Sequence, residues 1–285
     1  GSTLNLKAGE MAGVVTLRGS ESHLAVEVAR QPSSTEDPET QPAPFLVTLY
    51  ATGGECHWQA AAGGEPVDLL PPARLVLTGE SGQVVPDVGG ATWVAFDTND
   101  PLMKLKASPK IEHGLRNLTE DTPLLMKLTE LADDPRRRDV SWLALDCLAQ
   151  LGEFDQLVAI INDKDQPLVW QDHIDRLRVA VARDPAAAAR VRSEMERQHG
   201  AQDGAELYEM LWGYGPRELD KDQADRLIGY LQHETLAFRV LAFTTLHKIT
   251  GFGLSYHPEE SAADRERAIQ RWKDRCKDGF KPKAK

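Results

Sequence analysis

Cys56 and His57 stand side by side in the chain, and a thiol beside an imidazole is the pairing that nucleophilic catalysis uses. Both fall in a run that reads as a β-strand, where neighbours point to opposite faces, so they form no dyad with each other. Cys56 then reads as a small core residue and Cys147 as the core of an apolar helix. Cys276 is expected to be an exposed thiol near a frayed end. The three cysteines are an odd, widely spaced set that writes no disulfide framework or zinc site, leaving one pairing open.

The eight histidines show no metal-ligand spacing. His173 has Asp172 before it and Asp175 two positions after, neither sharing its helical face, and His233-Glu234 is not part of a His-Glu-x-x-His pattern. Asp97-Thr98-Asn99-Asp100 offers three oxygen side chains, as calcium uses, but lacks the turn Gly and distal acid, and reads as an Asx turn ahead of Pro101. Gly213-Tyr214-Gly215-Pro216 lacks the Lys and hydroxyl of a phosphate loop and reads as a helix–helix turn. Asn117-Leu118-Thr119 fits a glycosylation sequon that carries almost no weight. No catalytic, cofactor or metal residue is assigned. The residues left for recognition are aromatic: Trp170, Trp212, Tyr214 and Tyr230, with Tyr208, read either as core or as the lining of a partner-binding groove.

The elements that must position these groups change character near Pro109. Before it, apolar residues alternate in short runs broken by Gly and Pro, and after it they recur every three to four positions. The expected class is therefore α+β multidomain: an antiparallel β-sandwich or jelly-roll-like domain over residues 3–110, an α-helical domain over 111–279, and a basic tail at 280–285. With 285 residues, each domain can bury its own core. Gln31 to Pro44, rich in Pro, Ser, Thr, Glu and Gln, reads as a mobile loop cut first by protease.

The net charge is −11, with 7 Lys and Arg against 14 Asp and Glu in residues 1–112 and 26 against 30 in the remainder. Neither half offers the clustered cations that nucleic acid requires, so nucleic-acid binding is not expected. Arg136-Arg137-Arg138 and the basic stretch from Arg265 onward read as solvated helix ends. No run approaches the roughly 20 apolar residues of a membrane helix. A start at Gly1-Ser2 without Met reads as a tag scar, so a longer natural protein is expected, with any membrane contact made by a segment outside this sequence.

In the first half, Leu24, Val26 and Val28 alternate with His23, Ala25 and Glu27, as in a half-buried strand. Val14–Leu17, Phe45–Tyr50, Cys56–Gln59, Val67–Leu70, Ala73–Thr78 and Thr92–Phe96 repeat that cadence, with turns expected at Gly53-Gly54, Gly63-Gly64, Pro71-Pro72, Gly79 and Gly89-Gly90. The order Gly54-Glu55-Cys56-His57-Trp58, then Gly64-Glu65-Pro66-Val67-Asp68-Leu69, then Pro71-Pro72-Ala73-Arg74-Leu75 resembles the periplasmic domain of FecR-like anti-sigma regulators. Pro72-Ala73 stands where that family has Pro-Gly. The resemblance implies an extracytoplasmic sensing or scaffolding module on a membrane anchor.

In the second half, Thr122-Pro123, Gln166-Pro167 and Asp184-Pro185 read as helix starts, and Gly152 and Gly251 as helix stops. About eight or nine helices are expected, near 122–133, 136–151, 153–162, 167–183, 185–198, 203–213, 219–232, 235–250 and 261–276. The segment 236–246 is apolar on nearly all sides, as in a helix covered on both faces. Arg239, Ala242, Leu246, Ile249, Thr250, Gly251, Tyr256, Pro258, Arg265, Ala268 and Trp272 together resemble the terminal unit of HEAT-like repeat proteins of planctomycete bacteria. That resemblance implies an α-helical HEAT-like solenoid, closed by a final charged helix with Trp272 as its anchor against Leu246 and Ile249.

The function expected from these readings is non-enzymatic: a protein-interaction or regulatory scaffold of anti-sigma type, periplasmic, with a protein or peptide partner. A carbohydrate-binding or enzyme-associated module is the alternative, with a glycan stacked on Trp58 or Trp93. A hydrolase on the seam between the domains is a third.

Overall fold

The computed structural model describes residues 2–9, 11–30, 36–63, 65–78, 81–86, 123–133, 138–215 and 218–280. The expected strand Thr92–Phe96, the Asp97–Asp100 cluster, the Asn117 sequon, Trp93 and the change of period at Pro109 lie outside the described residues. The chain forms two compact units, one of residues 1–31 with 43–117, the other of residues 32–42 with 118–285.

The first unit holds an antiparallel sheet. Its strands are β1 (Ser2–Ala8), β2 (Met11–Arg30), β3 (Phe45–Ala60), β4 (Val67–Leu69), β5 (Ala73–Thr78) and β6 (Ser81–Pro86), in the order β1-β2-β3-β5-β6, with β4 also paired to β3. β3 is shared along its length: Leu46–Ala51 pair with β5, and Cys56–Trp58 pair with β4.

Gly53-Gly54, expected as a turn, instead lies inside the continuous strand β3. Pairing with β2 runs to Arg18 opposite Glu55, resumes in a shifted register at His23 opposite Gly53 and shifts again to Leu24 opposite Ala51. Gly54 takes φ +62°, which only glycine adopts without strain. The irregularity bends the ribbon and switches which positions face inward. Val47, Leu49 and Ala51 face the core before it, and Cys56 and Trp58 after it. All five share one apolar cluster with Val15, Leu69, Leu75 and Leu77, so the sheet curls around a single core.

The second unit is helical: α1 (Leu124–Ala132), α2 (Arg138–Leu151), α3 (Asp155–Ile161), α4 (Trp170–Arg183), α5 (Pro185–His199), α6 (Ala201–Trp212), α7 (Lys221–Tyr230), α8 (Leu236–Thr250) and α9 (Ala262–Arg275). Asp184 caps α5 by accepting from Ala187 N at 2.8 Å, with Pro185 next, as the sequence implies. Pro123 itself takes the N-cap of α1, and α4 starts at Trp170, three residues past Pro167. Consecutive helices pack on one another from α1 to α6, α7 packs on α8, α9 packs on α7, and α8 also reaches α3, α4 and α6. That central place explains why α8 is buried on nearly every side.

Several of the residues quoted for the HEAT-like resemblance are held by hydrogen bonds around the end of α8. Arg239 donates to the carbonyls of Pro258, His233 and Glu234 at 2.8, 2.7 and 2.6 Å, and the Tyr256 hydroxyl donates to Leu231 O at 2.7 Å. Gly251 closes α8 at φ +74°, and the Thr250 hydroxyl bridges Leu246 O and Phe252 N. Trp272 is fully buried, on a helix that packs chiefly on α7.

Two expectations are corrected here. Cys276 is fully buried, because the chain beyond α9 does not fray: Phe280 pairs with Leu219 through N–H···O bonds of 2.8 and 2.9 Å. The described part of the supposed mobile loop is anchored in the helical unit. Asp37 and Glu39 bind Tyr208 and Arg192, and Pro38 is buried.

Candidate functional site

Cys56 and His57 occupy opposite faces. Cys56 is in the core, where burial pushes its thiol pKa up. His57 pairs through Nδ1 with Asp68, its register partner on β4, and its Nε2, which makes no hydrogen bond, lies 4.0 Å from the Glu55 carboxylate. Trp58 is in the core at 4 % exposure, which removes it as a sugar-stacking platform.

The aromatic candidates separate. Trp170 is buried, and its indole N–H is shared between the carbonyls of Ile160 and Asp163 at 3.0 and 3.1 Å. Trp212, Tyr214 and Tyr230 lie at the end of α6 and on α7. The Tyr230 hydroxyl donates to Glu206 at 2.7 Å and accepts from Arg226 at 2.9 Å, while Arg226 grips Glu209 with two bonds. Desolvation raises the pKa of Tyr214, whose hydroxyl has no partner. Three of the four residues therefore belong to one half-buried polar and aromatic patch, and Trp170 belongs to the packing of α3 on α4.

Trp212 Nε1 and the Tyr214 hydroxyl are both without a hydrogen-bond partner in that patch, and a second feature with two such atoms lies elsewhere in the helical unit. A cleft of about 620 Å³ opens between the C-terminus of α1, α2, α3 and the start of α4. That volume falls in the range of ligand pockets. Its polar lining includes Asp133, Gln156, Asp163, Asp165 and His173, with Trp142 beside them.

Each group is set by its element. His173 is on the inner face of α4 and is 1 % exposed. Its surroundings hold it neutral down to about pH 4, first through burial and then through the Arg176 guanidinium, with Asp146 opposing. Its Nδ1 has no hydrogen-bond partner. Gln156, on α3, donates from Nε2 to Thr129 O at 3.0 Å, so its Oε1 is the free end of the amide, buried and unpartnered. Trp142, on α2, is 37 % exposed with the Arg176 guanidinium 5.6 Å from its ring, and Arg176 pairs with Asp146.

Buried polar groups in folded proteins are nearly always paired, and two residues that line this cleft, His173 and Gln156, each keep one that is not. Sequence spacing gave no sign of it. Gln156 and His173 are 17 positions apart on different helices, and Trp142 carries no motif. Among the described residues no three His, Cys, Asp or Glu side chains gather as metal ligands, and no helix is long and apolar enough to cross a membrane. Compared with known proteins, the chain matches no family model, no curated protein and no solved structure.

Proposed function

We propose that the chain is a non-enzymatic binding module, a regulatory or scaffolding component that takes a protein or peptide partner on its helical unit. The observation that carries this reading is the α1–α4 cleft with its unpaired His173 Nδ1 and Gln156 Oε1. An imidazole that stays neutral down to about pH 4 is a poor general base near neutrality, where catalysis favours a pKa close to the working pH. It is well suited to fixed hydrogen bonding. The half-exposed Trp142 adds an amphipathic surface of the kind that anchors partners.

The setting that fits this reading is extracytoplasmic, on a membrane-anchored bacterial regulator of anti-sigma type, as the FecR-like cadence of residues 54–75 implies. For the fold, we read the curled sheet as a jelly-roll-like or sandwich domain and the helices as HEAT-like pairs. Neighbour-to-neighbour packing from α1 to α6 supports the latter, with the reach of α8 back to α3 making the stack compact.

Probing the chain with a peptide array and weighing the eluted peptides tests the reading. Bound peptides should be recovered unchanged, and Trp142→Ala should weaken their binding by about tenfold. Recovery of cleaved or modified peptides, or binding indifferent to changes in the cleft, would overturn it.

A further inference from the structure

We infer that the face formed by α5 and α6 is a receptor site for an acidic turn of the Asp-Pro-Glu type carried by a partner protein, and that residues 36–41 of the chain occupy it as an internal ligand. The site has no residue in common with the lining of the α1–α4 cleft, so it goes beyond the reading above and does not rest on it. Tyr208 of α6 is buried, and the hydrogen-bond partner of its hydroxyl among the described residues is Asp37 Oδ1 at 2.9 Å. The hydroxyl donates there, so an occupant of the site must bring an acceptor. Arg192 of α5 adds a charge to the same face. Glu196, one helical turn on, holds its Nε at 2.8 Å, and Nη1 is left to meet Glu39 at 2.9 Å, with Asp37 4.0 Å away. A hydroxyl donor and a guanidinium side by side select an occupant that carries carboxylates.

The occupant organises itself. Asp37 Oδ1 accepts from Glu39 N at 3.0 Å, the Asp37 carbonyl accepts from Thr40 N and Gln41 N at 3.0 Å each, and the buried Pro38 ring fixes the backbone between them. Because these bonds are made within a few residues, a separate peptide of that sequence can form the same turn, which lowers the ordering cost of binding. The contact is also built to be reversible. Asp37, Glu39 and Arg192 all remain partly exposed, and ion pairs of that kind contribute little and are screened by salt. The base of the loop is held independently of the turn: Arg30 opposes Phe45 in the ladder, and its guanidinium donates to Ala43 O at 2.7 Å. The turn can therefore leave its site without opening the strands. A hairpin needs only about two to five residues to join such a pair, and a loop much longer than that usually has a use of its own.

The test is fluorescence anisotropy with the full chain and a labelled, end-blocked peptide of residues 34–42. In the receptor, Asp37→Asn together with Glu39→Gln strips the charge from the internal turn, while the asparagine keeps the oxygen that accepts from the next turn N–H. An internal ligand that fills its site about nine-tenths of the time lowers the affinity for an external one about tenfold, so the peptide should bind the double variant at least about tenfold more tightly than the parent. A peptide with Asn and Gln at the two acidic positions should bind about tenfold more weakly than the acidic one, and adding Arg192→Gln to the double variant should cost a similar factor. If the double variant fails to fold, Glu39→Gln alone, which leaves the Asp37 turn in place, decides by the same comparisons. No binding to either variant at millimolar concentration, equal affinity for parent and variant, equal affinity for the acidic and neutral peptides, or indifference to Arg192→Gln overturns the inference. Loss of binding on Trp142→Ala would place the peptide in the α1–α4 cleft, overturning this site and leaving the cleft reading standing. A peptide array indifferent to the cleft, with this peptide still bound, would do the reverse. Dimers of the parent that Glu39→Gln abolishes would put a second copy in the partner's place and overturn that occupant.

Discussion

The Tyr208 hydroxyl donates to the Asp37 carboxylate at 2.9 Å, tying α6 to a turn 171 positions earlier in the chain. Asp37 also organises its own turn, accepting from Glu39 N at 3.0 Å, and Glu39 pairs with Arg192 of α5 at 2.9 Å. Burial raises the Tyr208 pKa, and Asp37 raises it further, so the hydroxyl stays a donor across the ordinary pH range.

Tyr208→Phe removes that donor and leaves a partly buried carboxylate one bond short, at a cost of about 1–2 kcal/mol. Cleavage by a glutamate-specific protease at Glu36 and Glu39 should then become several-fold faster, at about the same rate elsewhere. Equal cleavage in both proteins would mean that the turn is held by other contacts.

His173 gives the fold an acid sensitivity of definite sign. Its folded pKa of about 4 lies below the ordinary histidine value of 6.5, so the unfolded chain takes up the proton first. The stability from keeping this ring neutral is complete above about pH 6.5 and declines as the pH falls toward 4. The loss is about 3 kcal/mol by linkage. Urea midpoints at pH 7.5 and 4.5 should differ less in His173→Asn than in the parent, although the variant starts lower. An unchanged pH slope would locate the acid sensitivity in other groups.

Gly204 lets α5 and α6 touch backbone to backbone. A Cβ there would overlap the main chain of Glu196 and Met195. Alanine improves helix propensity by about 1 kcal/mol, but overpacking against backbone that cannot rotate away costs about 1–3 kcal/mol. Gly204→Ala should therefore lower the melting temperature, whereas Gly229→Ala, which meets nothing within 4 Å, should raise it slightly. The opposite order would show that the α5–α6 crossing yields easily.

Arg239 is buried and satisfied by three backbone carbonyls, with no carboxylate among its hydrogen-bond partners in the described residues. Lysine keeps the charge but not the planar fork, so Arg239→Lys should cost roughly 3 kcal/mol. Trp272→Ala, which empties a fully buried site on α9, should cost about 3–5 kcal/mol. A near-native urea midpoint for either variant would separate that residue from the stability of the unit.

The sequence alone determined the class of each half and the extent of most helices. These depend on local period and caps, as at Asp184-Pro185 and Gly251, which are written within a few neighbouring residues. It also placed Cys56 and His57 on opposite faces, because strand alternation is local. Only the tertiary structure decided that Gly53-Gly54 is an irregularity within a strand, since a glycine pair permits both a turn and a bulge and the pairing of β2 across it chooses. The same holds for the turn at Asp37, whose composition reads as mobile because its partners, Tyr208 and Arg192, are far along the chain. The cleft was illegible for that reason too. His173, Gln156 and Trp142 carry no shared spacing, and what distinguishes the first two is a buried polar atom without a hydrogen-bond partner, which exists only once four helices have packed.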